Sequence, residues 1–190
     1  MRGMSTREPR TVSHGELWFL LERLNHWDRA TCLRVNRASR QQALCVFFKA
    51  VSWLGNGKFW YALMLALLLT FRGSAVQAVL HMVATGLTCT LLYKWLKLRT
   101  LRPRPYQIDT NIFCAVPPLD QFSFPSGHTL HAVAFSIVAI AYYPWLAWLL
   151  LPFSLLTALS RVVLGLHYPS DVLAGAAIGA VVAVASLAVM

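Results

Sequence analysis

Acidic residues are scarce in this sequence: seven Asp and Glu against seventeen Lys and Arg give a formal charge of +10 over 190 residues. Beyond Asp28 only Asp109, Asp120 and Asp171 remain. A site that holds magnesium, or a pair of divalent ions, through clustered carboxylates lacks the ligands it would need. Cysteine is thin as well. Cys32, Cys45, Cys89 and Cys114 form no paired spacing, and His128 and His131 are not i, i+4 helical ligands, so a zinc site is poorly supported and four free thiols are expected. No short apolar core precedes a small-residue cleavage site near the start, which argues against a secretory signal and leaves the first span as the targeting element.

Apolar residues, by contrast, make up 57% of the chain, and the mean hydropathy is +0.55. They fall in long runs: Phe59–Phe71, Ala75–Trp95, Leu130–Tyr143, Trp145–Leu166 and Val172–Met190. The first and third are shorter than the ~20 residues of a full span, but Trp60, Tyr142 and Tyr143 suit the membrane interface. Ala43–Leu54 is a sixth candidate, brief and ending at Gly55-Asn56-Gly57, which either crosses or lies in the surface. The expected fold is all-α, a polytopic membrane bundle of five or six transmembrane helices. Residues 1–42 read as a basic cytoplasmic or interfacial segment, and 43–190 as the membrane domain with a loop over 98–126.

Nine of the seventeen cations precede residue 50. An arginine-rich flank of this kind holds a terminus in the cytoplasm and meets anionic headgroups, so nucleic acid is not the expected partner. The second cluster, Lys94, Lys97, Arg99, Arg102 and Arg104, sits where a span meets a proline-punctuated loop, a place that attracts an anionic substrate. Hydropathy alone brings this cluster, Gly127-His128 and His167 to one side of the bilayer. Arg72-Gly73 and Tyr143-Pro144 turn on the other. With a cytoplasmic N-terminus and a crossing at 43–54, that side faces the periplasm or exterior of a bacterial inner membrane.

Three runs carry the chemistry: Lys97 to Pro105, Pro125-Ser126-Gly127-His128, and Ser160 to Asp171. They supply cations, two imidazoles, one carboxylate and a glycine-preceded helix start, the groups needed to bind and attack a phosphate by covalent catalysis with cationic stabilisation.

The ordered pattern Lys-x6-Arg-Pro, Pro-Ser-Gly-His and Ser-Arg-x5-His-x3-Asp resembles the signature of the type-2 phosphatidic acid phosphatase (PAP2) superfamily, which also contains vanadium haloperoxidases and glucose-6-phosphatase. The motifs and their connecting spans cover about residues 57–190. The resemblance implies that His167 is the nucleophile and Asp171 its orienting partner, with Ser170 available to cap the following helix. His128 becomes the acid and then the base. Lys97, Arg104 and Arg161 bind nonbridging oxygens, helped by the amides of Ser126, Gly127 and His128. No metal or cofactor is expected. The implied activity is hydrolysis of a lipid phosphate or diphosphate through a phosphohistidine, with undecaprenyl (polyprenyl) diphosphate to monophosphate favoured. Phosphatidylglycerophosphate, phosphatidate and lipid A phosphates are the alternatives.

A lipid transporter or scramblase would use the apolar spans and basic rim, but has no role for His128, His167 and Asp171. The haloperoxidase branch is soluble and larger. Outside the motifs, His81 reads as a packed interior residue, His131 as a residue lining the substrate path or as packing or support beside the site, and Gly175, Gly179 and Ala183 as a helix-packing stripe. Arg99 and Arg102 read equally as contacts to a distal phosphate or to headgroups. The loop Tyr106–Ser123 reads as a lid or a passive connector.

Overall fold

The computed structural model describes residues 14–189 as helices joined by turns and one long loop, with no strand among the described residues. The expectations for Arg2, Arg7 and Arg10 lie outside that range. Helix α1 (His14–Asn36) is followed by α2 (Gln42–Trp53) and α3 (Phe59–Phe71), the latter two joined through a kink over Leu54–Lys58. Gly57 takes a φ of 94° there, a conformation only glycine adopts without strain. Next come α4 (Val76–Thr100), a single turn α5 (Pro105–Ile108), then α6 (Gly127–Tyr142), α7 (Ala147–Val163) and α8 (Pro169–Val189).

Five of these segments cross: α3 with the preceding kink, α4, α6, α7 and α8. Leu69, Leu80, Leu91, Trp148, Leu155 and Val181 stay exposed, a surface that suits lipid tails and would be an aggregation hazard in water. The chain is an integral membrane helix bundle. α6 has only 16 residues, yet it is the central column, packed against α4, α7 and α8. Small residues explain the closeness of α6 and α8. A Cβ on Gly175 would stand 2.6 Å from the Ser126 carbonyl oxygen, and one on Gly179 would collide with the carbonyl of Leu130, so the stripe serves packing as expected. Trp60, Met82, Leu130, Val138 and Leu150 fill the interior. The three motifs meet at one end of the bundle, while Phe71 stacks on Tyr143 at the other.

The structure bears on the sequence reading of the N-terminal third in two respects. Ala43–Leu54 does not cross. Asn36, just before it, donates to the Val163 carbonyl at 2.9 Å, and Ser52, at its end, accepts from Arg161 at 2.5 Å. Both anchors lie in the last turn of α7, so the segment leaves and returns at the same face. The outward orientation expected above therefore loses its premise, because the arginine-rich residues of α1 share the face of the motifs. Contacts also cross the boundary at residue 42. Cys32 of α1 is fully buried with Ile112, Val162 and Tyr168, and Arg29 pairs with Asp109 at 2.7 Å.

Candidate active site

Each motif side chain is delivered by a helix end. α4 stops at Leu101, which takes a left-handed φ of 49°. That conformation costs a non-glycine residue roughly 1 kcal/mol and persists where its surroundings hold it. Here the following residues do so, as Arg102 and Arg104 are each tied down by several bonds. α7 stops in a turn at Gly165, φ 74°, where a Cβ would stand 2.7 Å from the Phe113 carbonyl oxygen. The amides of Leu166 and His167 bond back to the Arg161 carbonyl at 3.0 and 3.1 Å, fixing the nucleophile candidate one turn beyond the arginine.

Lys97, Arg104, Gly127, His128, Arg161 and His167 line one cavity of about 720 Å³. The three cations differ in their bonding. Arg104, 1% exposed, donates to the Leu166 carbonyl at 2.7 Å, and one of its nitrogens lies 3.5 Å from His167 Nε2. Arg161 bonds only Ser52, and its Nε is buried without a partner. Lys97 donates to the Phe122 carbonyl at 2.7 Å and to Asp120 Oδ1 at 3.0 Å. The same Asp120 oxygen receives Arg104 at 2.5 Å, so a carboxylate from the loop occupies the space between two of the three cations. Burial opposes the charge on Asp120, but Lys97 and Arg104 prevail and hold its carboxyl below the usual range.

His167 presents Nε2 to the cavity and Nδ1 to Asp171. Burial, then Arg161, Arg104 and Lys97, keep this histidine well below its ordinary value, so it is a neutral imidazole at neutral pH. The expected bond from Asp171 is not closed. Nδ1 stands 3.7 Å from Asp171 Oδ2 and has no hydrogen-bond partner, whereas Oδ2 accepts the Tyr168 amide at 2.9 Å.

Further differences concern donors and partners. The Ser126 amide is spent on the Asp171 carbonyl at 3.0 Å and cannot serve an incoming anion; Gly127 and His128, in the first turn of α6, keep unpaired amides. Ser170 does not cap α8 by itself. Asp28 of α1, fully buried, accepts the Ser170 amide at 2.9 Å and the Ser170 hydroxyl. Arg102 does not line the cavity but bridges Asp28 at 2.7 Å and Asp171 at 2.6 Å. Sequence reasoning assigns Asp28 no role and gives Arg102 a distal phosphate or headgroups; their pairing appears only in the folded chain. Arg99 lies over Trp95 at 5.7 Å.

His81 bonds Tyr142 and Ser186 inside the bundle, as expected. His131 Nδ1 lies 2.8 Å from the Gly127 carbonyl and Nε2 lies 3.0 Å from the Thr90 hydroxyl, and the ring also lines the cavity. The four cysteines are free, and burial followed by Asp28, Asp171 and Asp109 pushes the Cys32 thiol up to about 12.

A buried histidine faced by three cations at the end of a membrane helix bundle defines the class: an integral membrane protein with a site for tetrahedral oxyanions. The profile of the PAP2 superfamily matches residues 74–190, and the chain belongs to that superfamily. Undecaprenyl-diphosphatase BcrC of Bacillus subtilis (strain 168) is 35% identical over 114 residues, which cover 60% of this chain and 58% of BcrC. The chain thus matches somewhat over half the length of that curated relative. Among solved structures, the transmembrane PAP2-type phosphatidylglycerolphosphate phosphatase of Bacillus subtilis superposes with a TM-score of 0.73 at 25% identity, covering 91% of this chain and 92% of that one. LpxE of Aquifex aeolicus superposes with a TM-score of 0.71 at 29% identity, over 82% and 92% of the two chains.

Proposed function

We propose that this protein hydrolyses a polyprenyl diphosphate of the undecaprenyl type to the monophosphate, through a phosphohistidine on His167. The observation that carries the reading is the shape of the cavity. Its upper part is charged, with Lys97, Arg104, Arg161 and the two histidines; its lower part runs between α3 and α4 past Met64, Val83 and Leu87. Val83 and Leu87 are also exposed on the outer surface, so the apolar part is open to lipid. An amphiphile fits with its tail in the bilayer and its phosphates among the cations.

In the reaction, His167 Nε2 attacks the terminal phosphorus, and the bond to the bridging oxygen breaks. His128 protonates that oxygen, and the lipid monophosphate departs. His128 then takes a proton from water, whose oxygen attacks the phosphohistidine, releasing inorganic phosphate and restoring the imidazole. Lys97, Arg104 and Arg161 bind the equatorial oxygens and favour the five-coordinate state over the ground state. The relation to BcrC supports the diphosphate, and the two structural relatives support lipid phosphates more broadly. A site on the outer face of a bacterial plasma membrane, where a carrier lipid would be recycled, accompanies the diphosphate reading. It rests on that reading alone, because the arginine content of α1 favours the opposite orientation.

The test is phosphate release by detergent-solubilised protein from a panel of undecaprenyl diphosphate, phosphatidylglycerophosphate, phosphatidate and lipid A. The highest kcat/KM is expected for the first. A preference of tenfold or more for one of the others reassigns the substrate, and no release from any of them removes the hydrolase reading.

A further inference from the structure

We propose that Asp28 and Arg102 are positioning residues for the nucleophile, a buried relay through which the surface helix α1 sets the aim of Asp171 at His167. The inference rests on the phosphohistidine reading above. A carboxylate has two oxygens to place, and on Asp171 both are claimed by groups other than the imidazole. Oδ1 receives Arg102 at 2.6 Å, and Oδ2 receives the Tyr168 amide at 2.9 Å while standing 3.7 Å from His167 Nδ1. His167 needs that oxygen when its ring becomes cationic during attack, since Nδ1 is buried with no other partner.

The position of Asp171 is therefore set by how firmly Arg102 holds it. Arg102 is itself locked. Its second terminal nitrogen donates to Asp28 at 2.7 Å, its first also donates to the Ser170 hydroxyl at 2.8 Å, and its guanidinium lies 4.4 Å from the centre of the Tyr168 ring. Asp28 is fixed in turn by the Ser170 amide, at the start of the helix that carries Asp171. A planar fork spanning two buried carboxylates is a geometry that lysine does not reproduce in full. It also sets one positive charge between two fully buried carboxylates.

Neither residue lines the substrate cavity, which is faced by Lys97 and Tyr93 from α4, Arg104 and Asp120 from the loop, His128 from α6 and Arg161 from α7. Losing either member of the relay should slow attack without weakening oxyanion binding.

The experiment compares Arg102→Gln, Arg102→Lys and Asp28→Asn in the full-length, detergent-solubilised protein. It measures kcat, KM, the rate of phosphohistidine formation in a single turnover, and vanadate affinity. Arg102→Gln is expected to lower kcat and the phosphorylation rate by about 10²-fold, the scale of one proton-handling interaction. KM and vanadate affinity should stay within threefold. Arg102→Lys should recover part of the rate, and Asp28→Asn should show a smaller loss of the same kind. The inference is overturned if phosphorylation is unchanged in Arg102→Gln, if vanadate affinity falls in step with kcat, or if Arg102→Lys is no better than Arg102→Gln. Failure of the underlying reading looks different, for then the unsubstituted protein itself forms no phosphohistidine.

Discussion

Asp120 Oδ1 receives Arg104 at 2.5 Å and Lys97 at 3.0 Å, so one carboxylate oxygen engages two of the three cations that line the cavity. An anion that takes both cations displaces it. The Asp120 side chain is 39% exposed, whereas that of Arg104 is buried, so Asp120 is the partner free to move. Replacing it by Asn keeps the shape and removes the charge. Vanadate and inorganic phosphate should bind Asp120→Asn more tightly than the parent, by about tenfold for a charge-assisted contact worth ~1.4 kcal/mol. Inhibition constants measured with a soluble chromogenic phosphoester will show it; weaker binding in the variant would mean that Asp120 helps to hold the anion.

The two histidines should fail in different ways. His167→Ala removes the nucleophile, so turnover and any acid-labile phosphoenzyme should both disappear. His128→Ala leaves attack possible but impairs protonation of the leaving oxygen and activation of water, lowering kcat by about 10²–10⁴-fold. Acid–base stability of the labelled protein separates the cases, and substantial activity in His167→Ala would contradict a covalent route.

Catalysis should survive chelation. All four acids from Asp28 onward are committed to cations of the protein: Asp109 to Arg29, Asp120 to Lys97 and Arg104, and both Asp28 and Asp171 to Arg102. The stabilising charge on the phosphate comes from side chains already in place. Phosphate release in excess EDTA should continue near its normal rate, and loss restored by one divalent metal would remove this account.

Acid should destabilise the fold through His167. Its native pKa lies well below the ordinary histidine value, because burial and three nearby cations disfavour the imidazolium. Between that depressed value and about 6.5 the unfolded chain binds the extra proton and the native state does not. Stability contributed by the neutral ring is present above about pH 6.5 and falls as pH drops through the window. Thermal unfolding in detergent should show a declining Tm from pH 7 to 5, with a shallower decline in His167→Asn; equal slopes would assign the effect to other groups.

Much of the site was legible because its chemistry is local. Arg161 and His167 are six residues apart in the sequence, and the Gly165 turn converts that spacing into a shared cavity. The number of crossings was bounded correctly by hydropathy. Hydropathy could not decide Ala43–Leu54, since a short, largely apolar segment looks alike whether it enters a bilayer or packs along its surface; only the bonds of Asn36 and Ser52 fix the outcome. The partners of Asp28 were hidden for another reason. They lie 74 and 142 residues away, and a side chain that meets its partners only after α1 docks leaves no periodic trace. Asp120 was visible as an acid in a proline-containing loop, but the contacts that hold that loop, such as the Ser123 amide to the Arg102 carbonyl at 2.8 Å, join residues 21 apart.

Sidedness can be read without activity. Cysteines introduced at Gln107 and at Arg34 should react with a membrane-impermeant thiol reagent from the same side, and one at Gly73 from the other, in a background lacking Cys114. Labelling of Gln107 in intact cells places the chemistry outside. If Arg34 and Gln107 label from opposite sides, residues 43–54 cross after all.

An odd number of crossings has a practical consequence for anyone who handles this protein. A fusion partner joined ahead of α1 shares a compartment with the catalytic face, whereas one joined behind α8 is stranded across the bilayer. A fluorescent domain that matures only in the cytosol and an enzyme reporter that works only outside it therefore belong at different ends. Choosing the wrong end would silence the reporter without disturbing the helix bundle.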